Sequence, residues 1–182
     1  MSRTRVSTRW ILVLGALAAV QAVLIVAFGP LGTTLALASP PIYAAAAWVT
    51  VLIVATACHF DLRPGMITLI GLAAAICAMP FSVLGILLIP FIGVQSLVME
   101  IAAHLARRLG TWPRALIVSI AGQTVAYFGS LVVFDPESLV PLVLALVALG
   151  RLTGAVLLTL ASTFIARGLR SARLDRSIEG RS

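Results

Sequence analysis

Six apolar runs, each near the length that crosses a bilayer, occupy almost the whole of this 182-residue chain. A hydrocarbon core about 30 Å thick takes roughly 20 residues of helix. In lipid every backbone N–H and C=O must be paired within the protein, so the runs read as helices. They lie near Ile11 to Phe28, Pro41 to Cys58, Gly65 to Met79, Val83 to Ala106, Ala115 to Phe134 and Leu139 to Ala166. The third is short, and Pro80 and Pro90 leave the turn after it open by several residues. The first is too long for the apolar core of a signal peptide and reads as an uncleaved span. The expectation is an all-α polytopic membrane protein with six transmembrane helices, a single domain over 1–176 and a tail over 177–182. Within that tail, Ile178-Glu179-Gly180-Arg181 matches a protease recognition sequence, engineered or accidental, and is set aside.

Composition agrees. The chain is 61% hydrophobic and 10% charged, whereas soluble domains are about a quarter charged. Six spans leave no length for a soluble catalytic domain. No sustained internal repeat appears, which speaks against two matching transporter halves.

All 13 basic residues are arginine, and the net charge is +7. Nucleic-acid binding is excluded as a reading, because these arginines punctuate apolar runs and form no basic face. Arg3, Arg5 and Arg9 precede the first span, and Arg63 lies in the second loop. Arg107, Arg108 and Arg114 flank the fourth loop, and Arg167, Arg170, Arg173, Arg176 and Arg181 follow the sixth span. With six spans all twelve fall on one side, and the positive-inside rule makes both termini cytoplasmic, in the plasma membrane. The opposite loops hold Gly29 to Pro40, the Pro80 turn and Asp135-Pro136-Glu137. The periodic arginines after the sixth span suit anionic lipid, at about 1 kcal/mol per charge.

Polar side chains within the spans are few, so their depth is informative. At about 1.5 Å per residue, Gln21, Gln95 and Gln123 lie roughly 14 to 17 Å from the cytoplasmic ends. Tyr127 and Arg151 lie slightly further out. Together they suggest a polar cavity among the first, fourth, fifth and sixth helices. An arginine near the bilayer centre costs about 2.5 to 3.5 kcal/mol even on the mildest scale and faces protein or water. Arg151 is either the contact for a bound carboxylate or phosphate, or a structural arginine held by carbonyls, by the glutamines or by Glu100. Trp48 is a further deep residue, facing a cavity or lipid.

Glu100 sits four residues before His104, and a local pair on one helix face is the simplest reading. A second zincin histidine, a nucleophile elbow and a phosphate-binding glycine loop are all missing. No catalytic residue, metal ligand or cofactor is therefore assigned. Cys58 and Cys77 lack metal-site spacing and read as buried small hydrophobes. The run Arg63-Pro64-Gly65 reads as a turn with proline in the first turn of the third helix.

The first helix carries GALAAVQA, which spaces Gly15 with Ala19 and Ala18 with Ala22 four apart, so that a neighbouring helix can approach closely. That face packs either within the bundle or against a partner. The segment, the stretch RPGMITLIGLAAAICAMPFSVLGILLIPFIGVQSLVMEIAAHLARR and the six-span topology together resemble the S components of energy-coupling-factor (ECF) vitamin and micronutrient transporters. The resemblance implies a substrate-binding subunit that captures a small nutrient from outside, and Arg151, read as a ligand contact, makes that nutrient anionic. It implies docking of Gly15, Ala18, Ala19 and Ala22 on a transmembrane coupling subunit, with two cytoplasmic ATPases as further partners. It also implies a ligand site in the outer half of the bundle, around Gln95, Gln123, Tyr127 and Arg151, beneath a lid at Gly29 to Thr34. A structural subunit of a membrane complex and an intramembrane enzyme stand as alternatives.

Overall fold

The computed structural model describes residues 8–60, 64–133 and 140–171. Arg3, Arg5, Arg63, Arg173, Arg176, Arg181, the Asp135-Pro136-Glu137 loop and the tail lie outside the described residues.

The described chain is helical: α1 (Thr8–Ala38), α2 (Pro40–Ala46), α3 (Leu52–Ala57), α4 (Met66–Ala78), α5 (Leu88–Leu105), α6 (Thr111–Val133) and α7 (Pro141–Ser171). A five-residue 3₁₀ segment, Ala47–Val51, joins α2 to α3, so these two form one broken span and the bundle has six spans. The stretches Ile11–Ala38, Pro40–Ala57, Gly85–Arg108 and Pro141–Ser171 are each long and apolar enough to cross a membrane. The 23 residues of α6 reach about 35 Å.

The spans close into a ring. α1 packs on α2 and α4, α4 on α5, α5 on α6, α6 on α7, and α7 on α2 and α3. Small residues set the approach distances, because van der Waals packing is what holds helices together in lipid. A Cβ on Gly150 would stand 2.5 Å from the carbonyl oxygen of Pro41, and one on Gly154 would stand 3.3 Å from that of Ala44. Gly122 admits Met99 and Gly93 admits Leu72 in the same way. Val51, Val54, Ile70, Ile92, Met99, Val118 and Leu158 fill the centre.

Several expectations need correction. α1 does not end at Phe28 but continues through Pro30 to Ala38, so the lid expected at Gly29 to Thr34 is helix. One feature eases this: Gly29 has no Cβ to meet the proline ring. Thr33 and Thr34 return their hydroxyls to the carbonyls of Gly29 and Pro30 at 3.0 and 3.1 Å, a back-bonding that bends helices. The helix stops at Ser39, extended at φ −159° and ψ 91° as the residue before Pro40. Pro64 precedes α4, which starts at Met66 after Gly65 in a left-handed conformation of φ +89°. Cys58 is buried, but Cys77 is exposed on α4. Trp48 is partly buried against the core. The turn between α4 and α5 presents Phe81, Val83, Ile86 and Leu87 outward.

The ends of the first and last spans meet at one end of the ring, where Val13 and Leu169 pack with Phe60 and Ala166.

Candidate functional site

Arg151 projects from α7 into the ring and is 5% exposed. The narrow Gly150–Pro41 approach brings α2 alongside, and the guanidinium carbon lies 5.5 Å from the centroid of the Tyr43 ring. Arg151 Nη2 donates to Ser130 Oγ at 2.5 Å, and Nη1 donates to Gln123 Oε1 at 3.3 Å. Ser130 in turn donates to the Ala126 carbonyl at 2.7 Å. Gln123 and Ser130 are seven residues apart on α6, two turns on one face, and they hold the planar fork between them. Arg151 Nε and Gln123 Nε2 are buried without a hydrogen-bond partner among the described residues. Of the six acidic residues only Glu100 falls within the described residues, and it lies elsewhere.

Arg151, Gln123 and Tyr127 line a cavity of about 240 Å³ between α6 and α7, with Ile120, Thr124 and Phe128 on one wall and Ala148, Leu152 and Ala155 on the other. Gln95 does not line it. Its Nε2 donates to the Gly122 carbonyl at 3.0 Å, joining α5 to α6, and its Oε1 is buried without a partner. The structure thus brings together three of the four residues expected at the ligand site. It adds Tyr43 and Ser130, which depth arithmetic missed. The spacing of Ser130 from Gln123 was a usable signal; nothing in the local sequence points Tyr43 at Arg151.

Gln21 does not line this cavity. Its Nε2 donates to the Thr50 carbonyl at 2.5 Å, while its Oε1 accepts the N–H groups of Ile53 at 2.8 Å and Val54 at 3.3 Å. Val51, at φ −131° and ψ 15°, breaks the helical ladder here, and the α1 amide replaces the lost partners.

Glu100 pairs neither with Arg151 nor with His104. Its Oε2 accepts from Thr68 N at 3.0 Å and Thr68 Oγ1 at 2.6 Å, and its Oε1 accepts from Gly65 N. A carboxylate at the start of α4 meets unpaired N–H groups and the positive end of the helix dipole. His104 instead faces Arg107, Nε2 to Nη1 at 3.5 Å. Among the described residues no three His, Cys, Asp or Glu side chains gather to hold a metal ion.

At the end that carries the arginines, His59 Nε2 meets Ser162 Oγ at 3.2 Å, and Arg170 Nη2 donates to the His59 carbonyl at 2.7 Å. Burial first, then the charges of Arg170 and Arg114, push the His59 imidazole down to about 4. It is neutral at physiological pH.

The GALAAVQA segment divides between two faces. Ala18 and Ala22 are 3% and 7% exposed and pack in the core of this chain. Gly15 and Ala19 lie on the exposed side.

No protein-family model matches the chain, and no characterised protein matches its sequence. Its structure is similar to a solved one described as the crystal structure of an S-component of an ECF transporter, with a TM-score of 0.79 at 20% identity, covering 95% of this chain and 90% of that one. That likeness establishes the fold: the chain is an all-α membrane protein with the helical architecture of an S component.

Proposed function

We propose that this chain is the substrate-binding membrane subunit of an ECF-type uptake transporter, capturing a small anionic nutrient from outside. The observation that carries the reading is Arg151: a guanidinium buried among helices, with a buried N–H unpaired and no described carboxylate beside it. A ligand carboxylate or phosphate would complete its hydrogen bonding and balance its charge. The S-component fold supports the same assignment.

On this reading the chain performs no catalysis and works in the plasma membrane with a transmembrane coupling subunit and two cytoplasmic ATPases. Docking falls to the exposed side of α1, at Gly15 and Ala19, since Ala18 and Ala22 are inside. Uptake then proceeds by reorientation of the bundle against the coupling subunit.

Coexpression with a coupling subunit and its ATPases tests this. The chain should copurify with all of them, and Gly15→Leu with Ala19→Leu should abolish copurification while leaving the isolated subunit folded. Normal copurification of that double variant would refute the docking face, and a wild-type chain that never binds the coupling subunit would refute the uptake role. The hydrogen bonds of Arg151 to Gln123 and Ser130 favour a second reading, a structural subunit of another membrane complex. Its mark would be a stable hydrophobic partner without any ATPase.

A further inference from the structure

Among the described residues, an apolar cluster stands between the outer end and Arg151, whereas the cavity beside Arg151 is rimmed by exposed side chains. Towards the outer end, Ala44 and Val147 are buried with Ala36, Tyr43, Tyr127 and Val143 packed on them, a plug drawn from four helices. The continuation of α1 contributes to it, for Phe28 and Tyr43 stand with ring centroids 6.3 Å apart beside Gly32. The cavity between α6 and α7 is different. Thr124, Phe128 and Leu152 on its rim are exposed on the outside of the ring. Arg151 is ten residues into α7 from Pro141, roughly 15 Å along the axis, so the rim opens into hydrocarbon. Its walls are apolar, apart from Thr124, and its polar end is formed by Gln123, Tyr127 and Arg151.

We propose that the ligand at this site is a small amphiphile, a carboxylate on a short hydrocarbon chain, which reaches Arg151 sideways from the bilayer between α6 and α7. The inference rests on the uptake reading above and names its substrate class. The head group meets the Arg151 and Gln123 side chains where they line the cavity, and a small side-chain rotation would bring their occluded, unpaired Nε and Nε2 donors to it, donors that are unfavourable to leave buried and unmatched. The tail lies along Ile120, Phe128 and Leu152, surface that would otherwise contact lipid. A volume of about 240 Å³ is below the range usual for drug-sized ligands, which selects a short tail. A fully hydrophilic nutrient fits poorly, since its polar groups would cross hydrocarbon and then face apolar walls.

The test uses the full chain in nanodiscs of neutral phosphatidylcholine, with octanoate carrying a tail diazirine as the probe. Illumination should label the walls of the cavity, at or near Thr124, Phe128 and Leu152. Octanoate should compete about tenfold or more better than octylamine or acetate, the scale of one charge-assisted hydrogen bond or of several buried methylenes. Leu152→Trp, which fills the cavity, should lose most of the labelling while its melting temperature and monodispersity match the wild type. If that variant proves unstable, Phe128→Trp serves the same purpose. Labelling spread evenly over the lipid-facing helices, or equal competition by octylamine or acetate, would overturn the proposal. Assembly with the coupling subunit and ATPases is scored separately. A chain that assembles but binds no octanoate sinks the amphiphile alone, and one that does not assemble sinks the uptake role whatever it labels.

Discussion

The guanidinium of Arg151 lies over the ring of Tyr43, 5.5 Å from its centroid, and so ties α7 to the outer half of the broken second span. A cation over an aromatic face contributes on the order of 0.5 to 2 kcal/mol. Gly150, one residue away, is what allows the two helices to approach this closely.

Arg151→Ala should abolish retention of the native small molecule, detected by mass spectrometry of the gently purified protein. Arg151→Lys keeps the charge but not the planar fork that spans Gln123 and Ser130, and should weaken binding about ten- to a hundredfold. Unchanged retention by the alanine variant would assign Arg151 a purely structural role.

Gln21→Leu removes the amide that serves Thr50, Ile53 and Val54. The backbone groups at the break would then lie unpaired inside the bundle, and the variant should lose about 2 to 4 kcal/mol, read as a fall in melting temperature in detergent. A stable leucine variant would mean that the break needs no side-chain partner.

Glu100→Ala should destabilise the start of α4 by about 1 to 3 kcal/mol, with little effect on ligand retention because Glu100 caps α4 and does not line the Arg151 cavity. Hydrogen exchange at Gly65 and Thr68 should rise first. Loss of ligand with undisturbed exchange would place Glu100 in the binding path instead.

His59 makes stability depend on acid. Its folded value of about 4 lies below the ordinary 6.5, so the unfolded chain takes up the proton first. The contribution is complete above about pH 6.5 and is lost as pH falls towards 4. Melting temperature should therefore drop between pH 7 and pH 4.5, and His59→Gln should flatten that drop. An identical drop in the variant would transfer the effect to other groups.

The apolar runs and the arginine alternation made the six spans legible, because bilayer thickness and backbone pairing leave so few alternatives. The depth of Arg151 likewise singled it out, and its partner Gln123 shared that depth. Depth could not separate Gln21 from Gln123, however. Nothing in Ala47-Trp48-Val49-Thr50-Val51, which lacks glycine and proline, announces a helix break, and without the break Gln21 has no evident task. Small-residue spacing had a similar blind side. It identifies a face where helices come close but not whether the neighbour is internal, so Ala18 and Ala22 were indistinguishable from Gly15 and Ala19 until the ring was closed. The continuation of α1 through Pro30 was hidden for a different reason: a Gly-Pro pair usually reads as a turn.

The six walls of the ring are unequal in height. α1 and α7 are 31 residues each, about 46 Å, while the third crossing is made by Met66–Phe81, about 24 Å. The long helices carry Arg9, Arg167 and Arg170 beyond the hydrocarbon, and the short crossing is the one that falls below a core about 30 Å thick. A bilayer beside the short wall would thin to meet it, and the apolar Phe81, Val83, Ile86 and Leu87, exposed at its end, suit a turn that lies in hydrocarbon. Mismatch costs fractions of a kcal/mol per ångström, so an upright bundle would carry an elastic load on that side. Leaning towards the short wall relieves part of that load, which gives the protein a built-in direction of tilt before any partner acts on it.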